Sequence, residues 1–240
     1  MDGGTQAGGP LAVVADSVAV LALPGLGEHL LNPAERERAD RFRKEQNRLD
    51  FVAAHLLVRL CAARLLGIPV AGAALVQRCP DCGREGHGIP ALADRPQLRL
   101  SLAHTDGVVA AAAGPEPVGV DVELLSARAE LADLHERVLT DAEWDAVRAH
   151  PDPGGAFLRL WVRKEAIIKV GRATLDTLDT VDLSALPLDA PDPGPVHRRH
   201  GDLHLVDLTD PGRGVLAAAV STRPVRLGTA AVPFADLDRP

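Results

Sequence analysis

The chain has 240 residues, 46% of them hydrophobic, and a formal net charge of −7 at pH 7. That length buries a substantial core as one or two domains, and the moderate acidity gives no global attraction to nucleic acid. Four Phe, two Trp and no Tyr leave no base-stacking platform, and no apolar run approaches the roughly 18 residues that span a membrane.

The opening MDGGTQAGGP lacks a basic stretch, so it is not a signal peptide, and residues 1–10 read as a disordered tail. A strand is expected near 12–22. Asn32-Pro33-Ala-Glu35 has Asn at the N-cap, Pro at N1 and Glu at N3, the start of a helix expected to run to about 66. Its first part is basic, with six basic residues against three acidic ones from Arg36 to Arg48. The plain account of that run is a solvated helix face.

A strand near 73–77 follows, then the turn Cys79-Pro-Asp-Cys82 with His87 nearby. This is half of a zinc site. A structural zinc takes four ligands and no second Cys pair exists, so two free thiols are expected. Three cysteines and no leader point to a reducing cytoplasm. Strands near 98–103 and 107–113 lead to the turn Gly114-Pro-Glu-Pro117, a natural midpoint.

The second half opens on a strand at 118–123. Thr140-Asp-Ala-Glu143 reads as a capping box, Pro151–Gly155 as a linker, and a helix then runs to Gly171, placed as a C-terminal cap. Residues 185–195, with four prolines, form a loop, and His197-Arg-Arg-His200 a solvated hairpin end. Strands are expected near 203–208, 214–221 and 225–232. The reading is α+β: a half over 11–115 and a half over 116–240, each a long helix on a small, mainly antiparallel sheet.

Two stretches carry chemistry. In Val118-Gly-Val-Asp-Val-Glu123 side chains alternate faces, so Asp121 and Glu123 meet on one side while the three valines point to the other. Gly119 leaves room for a ligand to approach. Paired oxygen ligands suit Mg²⁺, which often takes one or two carboxylates plus substrate phosphates. The plain alternative is a half-exposed strand with a polar outer face. In the helix, Trp161, Glu165 and Lys169 share one stripe at i, i+4, i+8. A carboxylate and an ammonium there suit a metal and a phosphate at adjacent positions. The plain alternative is an ordinary Glu–Lys pair, worth only ~0.2–0.5 kcal/mol.

Gly119-Val-Asp-Val-Glu123 followed by Trp161-x-x-Lys164-Glu165-x-x-x-Lys169 resembles the signature of the 4'-phosphopantetheinyl transferases, in length the longer, single-chain type. The resemblance runs from about Asn32 to Gly171 and includes Ser101-Leu-Ala-His104-Thr105. It implies a pseudodimer of two such halves with coenzyme A between them. It implies Mg²⁺-dependent transfer of the phosphopantetheine arm to a serine of an apo acyl or peptidyl carrier protein, releasing adenosine 3',5'-bisphosphate. By resemblance, Asp121, Glu123 and Glu165 hold Mg²⁺, and Glu165 is also the candidate base. Lys164 and Lys169 contact coenzyme A phosphates, with Lys169 on the leaving group. His104 and Arg48 bind the 3'-phosphate. A cytoplasmic monomer is expected, with neither nucleic acid nor membrane as partner.

Four positions depart from the pattern: Ile89 where a cation is usual, Ala103 where serine is common, and Asp50 and His55 where basic residues often occur. They put coenzyme A affinity in question. Two other classes stay open: a non-catalytic coenzyme A-binding protein, and an unrelated Mg²⁺-dependent phosphohydrolase.

Overall fold

In a computed structural model, the structure describes residues 9–79, 83, 85–127, 134–189 and 194–229. The expected tail therefore lies almost wholly outside the described residues, as does Cys82.

The chain forms β1 (Leu11–Asp16), α1 (Ser17–Leu21), α2 (Pro33–Asp40), α3 (Glu45–Leu66), β2 (Leu75–Arg78), β3 (Ile89–Leu92), β4 (Arg99–Thr105) and β5 (Val108–Gly114). After the midpoint come β6 (Val118–Leu124), α4 (His135–Val138), α5 (Asp141–Ala149), α6 (Pro153–Lys169), β7 (Gly194–His200), β8 (Leu203–Asp210), β9 (Val215–Ser221) and β10 (Arg226–Thr229). The α+β reading stands.

Strand alternation builds the layers. Two four-stranded sheets have the orders β10-β1-β5-β4 and β6-β9-β8-β7, and β2 and β3 pair as a separate two-stranded sheet. Leu11, Val13 and Ala15 of β1 and Val109, Ala111 and Ala113 of β5 face α3. The alternate residues, Ala12, Val14, Ala110 and Ala112, face Val118, Val120, Val122, Ala217 and Ala219 of the second sheet. That many alanines let the two sheets approach closely. Leu205, Ala218 and Val220, on the second sheet's far side, pack on α6. The order across the molecule is α3, sheet, sheet, α6.

Four expectations are corrected. The helix of 33–66 is two helices. The Asn32–Glu35 capping box forms as expected. Glu35, however, reaches back to His55 Nδ1 (2.6 Å) and the Arg59 guanidinium (2.5 Å) on α3. In one continuous helix those residues would lie about 36 Å from Glu35 at the far end. The chain turns at Arg41–Lys44, with Phe42 on Phe51 at 5.4 Å. The first strand stops at Asp16, because Ser17 donates from its hydroxyl to Asp50 and from its backbone to Gly107 O. His197–His200 lies within a strand, β7, anchored by Arg198 to Asp207 (2.8 Å). Last, β10 crosses back and pairs parallel with β1, so the first half's sheet includes a strand from the 116–240 segment.

Candidate functional site

β6 lies flat against α6 because residue 119 has no side chain. A Cβ there would overlap the Ala166 carbonyl oxygen and stand 2.9 Å from its carbon. The space expected for a ligand is taken by the helix backbone. Closeness of strand and helix is what brings their polar groups together.

α6 starts at Asp152, whose carboxylate accepts from Gly155 N–H (3.1 Å), and is followed by Gly171 at φ +82°. It crosses the second sheet over a row in which Asp121 aligns with Ala218, and Ala218 with Asp207. Two helix cations hold the two aspartates. Arg163 donates twice to Asp207 (2.9 and 2.6 Å), and Lys169 donates to Asp121 Oδ1 (2.7 Å). Asp207 takes a further bond from Arg198. Asp121 Oδ2 is buried and has no partner.

Glu123 and Glu165 both feel the charge of Asp121. Burial raises the Glu123 pKa to about 7, helped by the charge of Asp121 and opposed by hydrogen bonds from Thr105 and Trp161. Burial and the Asp121 charge also raise Glu165, with Lys169 opposing. Asp121 itself is pushed up by burial and held back by Lys169. Three carboxylates that disfavour their own charge are short of cation. Among the described residues no group of three His, Cys, Asp or Glu side chains is placed to hold a metal ion by itself. Mg²⁺ does not need one, since carboxylates, waters and substrate phosphates share its shell. The all-oxygen donors and the orphaned Asp121 Oδ2 fit that ion.

Lys164 is elsewhere, a correction to its expected contact with coenzyme A. It is 0% exposed, paired with Glu143 (2.6 Å) and bonded to the carbonyls of Val138 (2.6 Å) and Leu178 (2.9 Å). It stitches α6 to α5 and the neighbouring loops. Lys164 and Glu165 are adjacent in sequence but ~100° apart around a helix, so only one faces β6.

The site lies on the seam between the sheets. The open edge of β6 faces β4, and both backbone groups of Val120 are capped there. The Ser101 hydroxyl accepts from Val120 N–H (3.1 Å), and Lys169 Nζ donates to Val120 O (3.0 Å). His104, exposed near the end of β4, is surrounded by protein that disfavours its charged form; Asp50 opposes this, while Lys169 and Arg38 add to it. Arg38 is the α2 cation felt there. It donates to Gly86 O (3.0 Å), lies 5.5 Å over the Phe51 ring, and lines a groove of about 490 Å³ with Arg41, Phe42 and His87. Arg48, expected in this role, gives its guanidinium to both oxygens of Glu28 (2.7 and 2.8 Å). Arg38 was not singled out in the sequence because six basic residues share the run.

The departing residues are structural in part. Asp50 ties Ser17, Gln46 and Gly107 N–H to α3, and His55 is buried against Glu35. Neither faces the cleft. Ile89 does: 67% exposed, it lines two adjoining grooves of about 400 and 220 Å³, each also bounded by Lys169.

Residues 117–212, which hold β6 and α6, match the model of the 4'-phosphopantetheinyl transferase superfamily. It is this part of the chain, from the end of the midpoint turn through β8, that is similar to the superfamily. A 4'-phosphopantetheinyl transferase of Bacillus subtilis is 26% identical over 137 residues, 56% of this chain and 57% of that protein. The 4'-phosphopantetheinyl transferase HetI of Nostoc sp. is 26% identical over 165 residues, 66% of this chain and 67% of that protein. An L-aminoadipate-semialdehyde dehydrogenase-phosphopantetheinyl transferase of Homo sapiens is 30% identical over 190 residues, 70% of this chain and 59% of that protein. The chain thus spans somewhat over half the length of the Bacillus and human relatives. The carboxylates of β6 and α6 fall inside the matched stretch.

Proposed function

We propose that this chain moves the phosphopantetheine arm of coenzyme A onto a serine of an apo acyl or peptidyl carrier protein, releasing adenosine 3',5'-bisphosphate. The observation that carries the reading is that Asp121, with one carboxylate oxygen buried and unpartnered, is bonded to Lys169 and its charge bears on both Glu123 and Glu165, inside the stretch that matches the superfamily.

Asp121, Glu123 and Glu165 are the residues that would hold Mg²⁺, which when bound polarises the pyrophosphate and neutralises its charge. Phosphoryl transfer asks for positioning and charge neutralisation more than for covalent chemistry. The serine oxygen attacks the pantetheine-side phosphorus as the bond to the nucleotide phosphate breaks. Glu165 takes the serine proton; burial raises its pKa above the ordinary carboxylate value, which makes it a stronger acceptor. Lys169 meets the charge that develops on the leaving phosphate. His104 with Arg38 forms the place for the 3'-phosphate, held by charge-assisted hydrogen bonds. The pseudodimer of two halves, the longer single-chain type, and a cytoplasmic monomer that takes neither nucleic acid nor membrane as partner complete the proposal. Among the described residues no helix is long and apolar enough to cross a membrane.

The test is intact mass spectrometry of several apo carrier proteins incubated with coenzyme A, Mg²⁺ and this chain. A carrier gaining the mass of phosphopantetheine, with adenosine 3',5'-bisphosphate released, is the expected result. Unmodified carriers together with inorganic phosphate release would make the chain a phosphohydrolase. Coenzyme A binding without transfer would make it a binding protein.

A further inference from the structure

The two aspartates under α6 occupy the same row of the same sheet, yet they are satisfied differently. Asp207 has hydrogen bonds from Arg163 to both oxygens and one more from Arg198. Asp121 has one side-chain donor, Lys169, on Oδ1 alone, and its Oδ2 is buried without a partner. Asp207 is closed as a structural ion pair is closed. Asp121 is closed on one side only, by the most mobile kind of cation a protein has. Arginine is a rigid fork, whereas lysine is a point charge on a flexible four-carbon stem.

Lys169 is the last residue of α6 and its side chain is 26% exposed. Two of its three protons are used, on Asp121 Oδ1 and Val120 O, and its side chain bounds both grooves beside Ile89. The ammonium therefore sits where a cation is needed, beside open space into which it can turn. A divalent ion on the same carboxylate would face an ammonium 2.7 Å from Oδ1, and like charges that close repel strongly.

We propose that Lys169 is the counter-ion of the carboxylate cluster while no divalent cation is bound. It gives up Asp121 when one binds, and turns its ammonium into the cleft, ready for a phosphate. The exchange moves no proton and breaks no covalent bond. It makes cation binding and phosphate binding mutually favourable, since the first frees the lysine that the second uses, and such coupling is reciprocal. It rests on the function above only for the identity of that phosphate and for the carboxylates as cation ligands.

The chain has only three lysines, Lys44, Lys164 and Lys169, so the full-length protein labelled with ¹³C at lysine Cε gives a three-signal spectrum. Lys169→Met identifies the relevant signal, and buried Lys164 is an internal reference. Mg²⁺ titration should move the Lys169 signal to saturation and leave Lys164 in place. Asp121→Asn should shift the Lys169 signal without any metal. By electron paramagnetic resonance, Lys169→Met should bind Mn²⁺ at least ~5-fold more tightly than wild type, because the competing charge is gone. A Lys169 signal that stays put while Mg²⁺ binding is measured calorimetrically would overturn the exchange and leave the carboxylate ligands standing. Equal or weaker Mn²⁺ binding by Lys169→Met would also overturn it. No binding of either ion to wild type or variant would remove both the exchange and the proposed ligand set. If Lys169→Met does not fold, the Lys169 signal is the one that shifts in Asp121→Asn, and the Mg²⁺ titration still decides.

Discussion

Glu123 shows how far one carboxylate is held from its preferred state. Its pKa stands near 7 because burial and the neighbouring Asp121 oppose its charge, in spite of hydrogen bonds from Thr105 and Trp161. The folded value lies above the unfolded one, so the protonated side chain favours folding. That stabilisation is complete below about pH 4.5 and is lost as pH rises through 7. In EDTA the melting temperature should therefore fall between pH 5 and 8. Glu123→Gln should flatten that fall and melt above wild type at pH 8. The gain should be roughly 1–2 kcal/mol, less than the full shift implies because water reaches the carboxylate. A pH profile identical in the two proteins would show that Glu123 is not under strain. The carboxylates were legible residue by residue, through the period of two in Gly119–Glu123 and the i, i+4 step from Glu165 to Lys169. Arg48 and Arg38 were not separable that way, because a run of arginines carries no mark of which one a distant carboxylate or carbonyl will hold.

At the scale of elements, the contact between β6 and α6 is the determinant. Gly119→Ala would drive a methyl group into the Ala166 backbone, where no side-chain rotation relieves it. The expected cost is about 3 kcal/mol, the upper range for overpacking, with transfer activity falling beyond what the unfolded fraction explains, since Glu165 and Lys169 move away from Asp121. Wild-type melting for Gly119→Ala would mean that strand and helix are not so tightly joined. Lys164 gives the opposite profile. Lys164→Met leaves Glu143 buried and half satisfied, for Glu143 still accepts from Thr140 and Leu183 N–H. Breaking such a pair costs about 3–5 kcal/mol, while the KM for coenzyme A measured on the folded protein should not change. A raised KM with normal stability would restore Lys164 to the binding site. The sequence pattern Trp-x-x-Lys-Glu names both residues in one breath, but helix geometry sends them to different sides. Secondary structure was legible where caps and alternation are strong, at Asn32–Glu35, Thr140–Glu143 and β6. It failed at 41–44, where a long-range triad of Glu35, His55 and Arg59 folds one helical pattern into two helices.

Across the whole molecule, two sheets with a helix on each outer face followed from two long helical patterns separated by alternating strands. The return of β10 to β1 did not, because a parallel pairing between the two ends of a chain leaves no local signal. Its register runs from Leu11–Arg226 to Val14–Thr229, and Arg226 N–H also reaches Pro10 O (2.9 Å). Removing residues 226–240 should expose that edge of β1, lower the melting temperature by several degrees and weaken coenzyme A binding. An unchanged melt would show that β10 is dispensable.

The same pairing sets a timetable. On the ribosome β1 is made before β2 to β9, and its parallel partner β10 only after them. At ~5–20 residues per second, β1 waits roughly ten to forty seconds for the strand that covers its edge. An uncovered edge is a template for pairing with another chain. Crowded overexpression should therefore divert nascent chains into aggregates, and slower synthesis at lower temperature, which spaces nascent chains apart, should recover soluble protein.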